Sequence, residues 1–353
     1  MSEKRDIRSL SYGQLRGTME NIGEKPFRAD QIFDWLHNKK VSDFSLMTNV
    51  SKKITGKLSQ DFEIYETTPV RVLVSGLDGT RKYIHRLHDK NVIETVLLKY
   101  DYGNTVCISS QVGCRMGCRF CASTIDGLAR NLTAGEMAGQ VYSVENDIGE
   151  RVSHIVVMGS GEPLDNYDNF TDFIELINDK KGANISGRNI TASTCGIVPK
   201  MYELAERKYA ITLALSLHAT TDEKRRQIMP IANKYSLEEI LDACRYYFDR
   251  TGRRITFEYS LIEGVNDTDE DIEGLIRIAG SVTSHINLIP VNPIAERKYR
   301  ATSPQAALAL KNKLEKNHIN VTIRREMGRD ISASCGQLRR SFIKDADTGD
   351  QNA

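Results

Sequence analysis

Apolar, β-branched runs recur along the chain from Thr105 onward: TVCISS, HIVVM, ITAST, ITLALSL, RITFEYSL, INLIPV and INVTIRR. Short runs of this kind read as buried strands, and helical patterns follow most of them. The alternation predicts βα units, and so a parallel sheet with helices outside it. Two of the helices carry capping boxes, Thr133 with Glu136 and Ser236 with Glu239. Each box places a hydroxyl and a carboxylate on backbone amides that otherwise lack a partner. Around six such units favour an α/β fold built as a partial (β/α) barrel over a flat doubly wound sheet. In such a barrel the functional residues gather at the C-terminal ends of the strands.

The pattern differs before about residue 95. Helical periodicity runs through SYGQLRGTMENIG, FRADQIFDWLHNKK and SKKITGKLSQDF. Two β-rich runs follow, VRVLVSG and KYIHRLH, joined by the turn residues Asp78 and Gly79. We therefore expect residues 1–95 to be a small N-terminal helical accessory domain with a β-rich linker. Residues 96–340 form the core, and residues 341–353, ending in the polar KDADTGDQNA, a disordered tail. Up to residue 60 there are eleven Lys/Arg against seven Asp/Glu. That excess suits docking of a polyanion and equally an ordinary solvated helical surface.

Composition narrows the class. The chain has 353 residues, a net charge of +1 and 40% hydrophobic residues, so it can bury a large core and is neither disordered nor fibrous. It has seven cysteines, an odd number with three in one short run, which argues against a secreted disulfide framework. The N-terminus, MSEKRDIRSL, lacks the apolar stretch of a signal peptide. No apolar run approaches the ~20 residues of a membrane span. The expected setting is the cytoplasm, and the expected state a monomer.

The densest chemical signal is CRMGCRFC, which places Cys114, Cys118 and Cys121 at C-x3-C-x2-C spacing. Three thiolates this close can hold three irons of a [4Fe–4S] cube and leave the fourth open to a small molecule. A structural zinc site normally takes four protein ligands, and no fourth Cys or His lies nearby in sequence. The spacing is similar to that of the radical S-adenosylmethionine (SAM) enzymes, in which SAM chelates the free iron and is split to a 5′-deoxyadenosyl radical. Further along, MGSGEPLDN offers Gly159 and Gly161 for close backbone approach to a ligand, and Glu162 as a charge for an amino group. Ser193 ends one strand, Ser216, Leu217 and His218 end the next, and Asn292 follows INLIPV. Singly such residues are most often satisfied core or loop groups; together they can line one mouth of the barrel and bind SAM. Cys107 in a strand reads as a small buried hydrophobe. Cys335, before a glycine in a polar, mobile-looking loop, reads as exposed and reactive. Cys195 and Cys244 read as packing residues.

Cys107, SSQVGCRMGCRFC, RNLTAGE, MGSGEP, SLHA, PVNP and the terminal CGQLRR together resemble the RlmN family of dual-specificity adenine C2 methyltransferases. The likeness covers nearly the whole chain, including EKPFRADQIFDWL. It implies a [4Fe–4S] cluster and two SAM molecules per turnover, one methylating Cys335 and one yielding the radical. That radical takes a hydrogen from the S-methyl group, and the resulting methylene adds to C2 of an adenine. Cys107 then helps remove the C2 proton and forms a transient disulfide with Cys335; Glu94, in VIETV, matches a proton acceptor of the family. The implied partners are 23S rRNA, tRNA and a flavodoxin-type reductant, and Arg297 to Arg340 holds eleven Lys/Arg against three Asp/Glu, which suits RNA. The chain departs from the family pattern at Ser160, where Met is usual, and at Ser332 and Ser334, where Asp and Ala are usual. Two rivals are a related adenine C8 methyltransferase, whose glycine loop lacks Pro163, and a non-enzymatic metal-binding RNA module.

Overall fold

The computed structural model describes residues 4–338. All seven apolar runs form strands: β6 (Gly103–Ile108), β9 (Val152–Val157), β10 (Ile190–Thr194), β11 (Thr212–Ser216), β12 (Ile255–Leu261), β13 (Ser284–Pro290) and β14 (Val321–Ile323). They are parallel and adjacent in that order. Helices α4 (Ala134–Ile148), α5 (Tyr167–Asn178), α6 (Val198–Arg207), α7 (Asp222–Ile228), α8 (Leu237–Thr251), α9 (Asp269–Ser281) and α10 (Pro304–Lys316) lie between them. Both expected capping boxes form, at the starts of α4 and α8.

The β-rich run is not a linker. Strands β3 (Thr68–Val74), β4 (Arg81–Arg86) and β5 (Val92–Tyr100) extend the same sheet antiparallel, giving ten strands in one layer. Val96 of β5 faces Cys107 of β6, so the boundary expected at residue 95 falls inside a core strand. Glu94, expected upstream of the first core strand, lies within β5. The edge strands β3 and β14 are not paired with each other. Yet residues of β5, β6 and β14, far apart in the sheet order, line one cavity. The sheet is therefore curled into an open, partial barrel.

Residues before β3 form a helical unit of α1 (Tyr12–Asn21), α2 (Arg28–His37) and α3 (Lys52–Asp61). Two short strands, β1 (Arg5–Asp6) and β2 (Phe62–Glu63), pair in parallel and close it. Its apolar residues, among them Ile7, Leu15, Phe33 and Leu58, share one core with α4 and α5. His37 Nδ1 lies 3.0 Å from the Tyr142 hydroxyl of α4, and the Gly135 amide donates to Ser9 Oγ. The unit is thus welded to the barrel by packing. Among the described residues no helix is long and apolar enough to cross a membrane.

Candidate active site

Beyond β6 a small antiparallel ribbon, β7 (Gln111–Gly113) with β8 (Leu128–Asn131), pinches off the loop that carries the three cysteines. The Cys114 amide donates to Gly127 O at the loop's neck, and Thr124 Oγ1 donates to the carbonyls of Cys118 and Cys121. Cys114 and Cys118 are buried and Cys121 half-buried, and all three line one inner cavity. Among the described residues no three Cys, His, Asp or Glu side chains converge on a single ion. In an iron–sulfur cube each thiolate meets its own iron. Three thiolates carried on one loop at one cavity are the donor set that suits three irons of a cube. Burial pushes the Cys114 thiol up to about 12, so these thiols need a cation to become ligands. Cys195, expected only to pack, backs this loop beside Cys118.

Glu162 is buried at the wall of the same cavity. Its carboxylate accepts the amides of Leu164 (3.0 Å) and Cys195 (2.7 Å), which fixes its direction while burial raises its pKa. A carboxylate so held suits an ammonium partner, which would restore its charge balance. The glycines before it also have a packing role. A Cβ on Gly161 would lie 2.7 Å from Gln111 N and Ser110 Oγ, and its φ is +109°. This close approach is to the chain just beyond β6, and Gly159 and Gly161 also line the inner cavity. Gly161→Ala should destabilise the fold by about 2–4 kcal/mol, read as a lower denaturant midpoint; an unchanged midpoint contradicts this packing account. Ser160 is buried and its carbonyl accepts the amides of Ser110 and Gln111, so the substitution for Met leaves that backbone register intact.

Ser193 and Ser216 meet at the cavity wall, hydroxyl to hydroxyl, 3.2 Å apart. His218 has a left-handed φ of 54° and its Nδ1 accepts the Ser260 amide at 2.9 Å. That bond assigns the proton to Nε2, and burial, with Arg225 and Arg324 nearby, drops the ring to about 3, so it stays neutral. Leu217 does not line the cavity: it is fully buried, and its carbonyl accepts from the buried Arg225, which also binds the carbonyls of Cys195 and Ser216. Two wall residues escaped the sequence reading. Glu258 of β12 pairs with Arg324, just beyond β14, at 3.0 Å and accepts from Asn287. The signal available was a lone Glu inside the apolar run ITFEYSL.

Cys335 lines both this inner cavity and an outer one of about 980 Å³, which Cys107 also lines. The residue is exposed to these cavities. The surrounding protein nevertheless raises the thiol's pKa, and the Arg324 guanidinium opposes that rise. Cys107 is pushed up to about 12 by burial, with the nearby Cys335 adding to it. The Cys335 loop is clamped rather than loose. Asn292 Nδ2 donates to the Cys335 carbonyl (2.8 Å), Ala122 N to Gly336 O (2.8 Å) and Ser123 Oγ to Leu338 O (2.9 Å). The β3–β4 hairpin holds its other side: Asp78 accepts from the Gly328 amide, and Ser75 Oγ donates to Asp330. Ser334 Oγ donates to Met327 O within the loop, and Ser332 takes a left-handed φ of 50°.

Glu94 is not brought to either cavity. It is buried with Lys82, 3.1 Å away, and Lys82 Nζ donates to the Ser332 carbonyl. This ion pair sits beneath the Cys335 loop. The tail expected after residue 340, and Arg339 and Arg340 of the basic stretch, lie outside the described residues.

Comparison with known proteins agrees with this geometry. The family model of the radical SAM superfamily matches residues 108–278, and that of the ribosomal RNA large subunit methyltransferase N-terminal domain matches residues 5–64. A "Probable dual-specificity RNA methyltransferase RlmN" of Lachnospira eligens is 59% identical over 98% of this chain and 99% of its own. One of the same description from Lachnoclostridium phytofermentans is 57% identical over 97% and 96%. The crystal structure of a radical SAM methyltransferase from Sphaerobacter thermophilus superposes with a TM-score of 0.90 at 39% identity, covering 95% of this chain and 99% of that one. A cube and SAM are the cofactors of the superfamily, and the cysteine loop, Glu162 and the serine pair line one cavity. Identity this high, sustained from end to end and across both the helical unit and the barrel, leaves one assignment: the chain belongs to the RlmN family of radical SAM methyltransferases.

Proposed function

We propose that this chain methylates C2 of an adenine in 23S rRNA and of the adenine 3′ of the anticodon in tRNA, through a methyl group carried on Cys335. One observation carries the reading: Cys335 stands where two cavities meet, one walled by the cluster cysteines, the other by Cys107. A group carried between SAM and a base needs such a position. The cluster, reduced by a flavodoxin-type donor, supplies with SAM the radical that activates the methyl group. The protein's residues do the rest. Glu162, the Ser193–Ser216 pair, His218 and Asn292 orient SAM on the inner side. Cys335 accepts a methyl and presents it outward. The radical adduct formed at C2 gives up one electron, returned to the donor system, and its C2 proton, which the Cys107 thiolate helps remove. The Cys107 thiol then loses that proton again and its sulfur attacks the Cys335 sulfur. The carbon–sulfur bond breaks with its electron pair on carbon, a proton completes the methyl group, and a disulfide remains that two external electrons must reduce. Glu94 and Lys82 position the Cys335 loop from below.

Digesting treated 23S rRNA and tRNA to nucleosides should yield 2-methyladenosine. Finding 8-methyladenosine instead would select the C8 reading, and finding no methylated adenosine would refute both. The helical unit, residues 4–64, is the proposed RNA-docking element. Deleting it would strip the shared core, so substitution is the better test. Lys25, Lys52 and Lys53 are exposed and have no ion-pair partner among the described residues. Replacing all three with Gln should weaken RNA binding without base preference and flatten the salt dependence by up to about one unit of slope per lysine. An unchanged affinity and slope would remove this unit from the interface.

A further inference from the structure

The outer cavity extends beyond the two cysteines to the β5–β6 turn, where it meets two aromatic rings. Tyr100, the last residue of β5, and Tyr102, in the turn, stack at 4.9 Å between centroids and 10° between planes. His154 of β9 meets Tyr102 edge-on at 5.0 Å. The pair is therefore rigid, yet Tyr102 remains 63% exposed. A single exposed tyrosine needs no explanation. This one differs in that its ring is braced from two sides and borders a cavity that ends at both reacting thiols. Arg300, Arg325 and Arg329 line the same cavity, and among the described residues none of them has an ion-pair partner. Among the described residues, Glu326 is the one acidic residue of that lining. The electrostatics thus favour an anionic chain, and the aromatic face favours a planar ring.

Extruding an adenine toward Cys335 breaks its stacking on the neighbouring base, at a cost of a few kcal/mol. A fixed aromatic face can replace the lost neighbour, and it tolerates any base. We propose that Tyr102, braced by Tyr100 and His154, is the stacking platform for the RNA base adjacent to the target adenine, with Arg300, Arg325 and Arg329 holding the flanking phosphates. This rests on the RNA reading above and adds to it a subsite for a second nucleotide. Tolerance of any base at that subsite suits an enzyme acting on more than one RNA.

The test uses the cluster-loaded enzyme and a hairpin RNA with the target adenine in its loop, read by fluorescence anisotropy. Tyr102→Ala should weaken binding between roughly fivefold and a hundredfold, the range of one base–aromatic stack. Tyr102→Phe, which keeps the ring, should bind within about twofold of the wild type. Hairpins lacking the base on the 5′ or the 3′ side of the target supply the second half. One of them should bind the wild type as weakly as Tyr102→Ala binds the intact hairpin, and should lose nothing further with Tyr102→Ala. Wild-type affinity in Tyr102→Ala overturns the platform, as do losses that multiply for both hairpins. A wild-type enzyme that neither binds nor methylates the hairpin overturns the RNA reading and the platform with it. Unfolding temperatures of the variants separate lost stacking from lost fold.

Discussion

Cys107→Ala is expected to leave RNA covalently attached to the protein through Cys335. Cys107 lies on β6 opposite Val96, held by the ladder on both sides and half-buried at the wall of the outer cavity. Among the described residues of that wall, Cys107 is the one other thiol. Burial holds its thiol at about 12. A thiol with so high a pKa is a strong base and nucleophile once it has lost its proton, and Arg324 is the nearby cation that favours that loss. Without it the methylene bridge from Cys335 to the base has no means of cleavage. Turnover should fall by on the order of a thousandfold or more, as when a nucleophile is deleted, while methylation of Cys335 continues. A denaturing gel of the anaerobic reaction should show a slow, nuclease-sensitive band. Cys335→Ala should give neither the band nor methylated RNA. Normal turnover by Cys107→Ala, with the band in Cys335→Ala instead, would reverse the two roles.

Replacing Cys114, Cys118 and Cys121 together with Ala should abolish the broad visible absorbance of the cluster and all cleavage of SAM. The three thiols are the ligand set of one loop; Cys195 and Cys335 also line the cavity but come from other loops, and two thiols cannot replace a set of three. The loop's own fold rests on backbone bonds at its neck and on Thr124, which the substitutions leave intact. RNA affinity should accordingly stay within about twofold of the wild type, because the docking charges lie elsewhere. Unchanged iron content in the triple variant would refute the assignment.

The parallel strands were legible because a strand buried on both faces reads as a continuous apolar run. The capping boxes at α4 and α8 were legible because they span four residues. What escaped depends on pairings distant in sequence. VIETVLLKY becomes a core strand only through its ladder to β6, and the β3–β4 hairpin acquires its role by gripping a loop some 250 residues later. The chain around Cys335, polar and glycine-containing, suggested mobility, yet its bonds to Asn292, Ala122 and Asp78 come from three separate regions. The Glu258–Arg324 pair joins a residue of β12 to one just beyond β14, and only the lone Glu inside its apolar run hinted at it. Glu94 matched a family role by position, but its side chain points to Lys82.

The most direct measurement follows the methyl hydrogens. The cluster-loaded enzyme is supplied with SAM bearing a fully deuterated methyl group, starting from protein whose Cys335 is unmethylated, and the product adenosine is weighed after digestion of the RNA. Carriage on Cys335 with loss of one methyl hydrogen before bonding to C2 predicts a product methyl with two deuteriums and one ordinary hydrogen. A product carrying all three deuteriums would mean direct transfer from SAM to the base and would contradict the account.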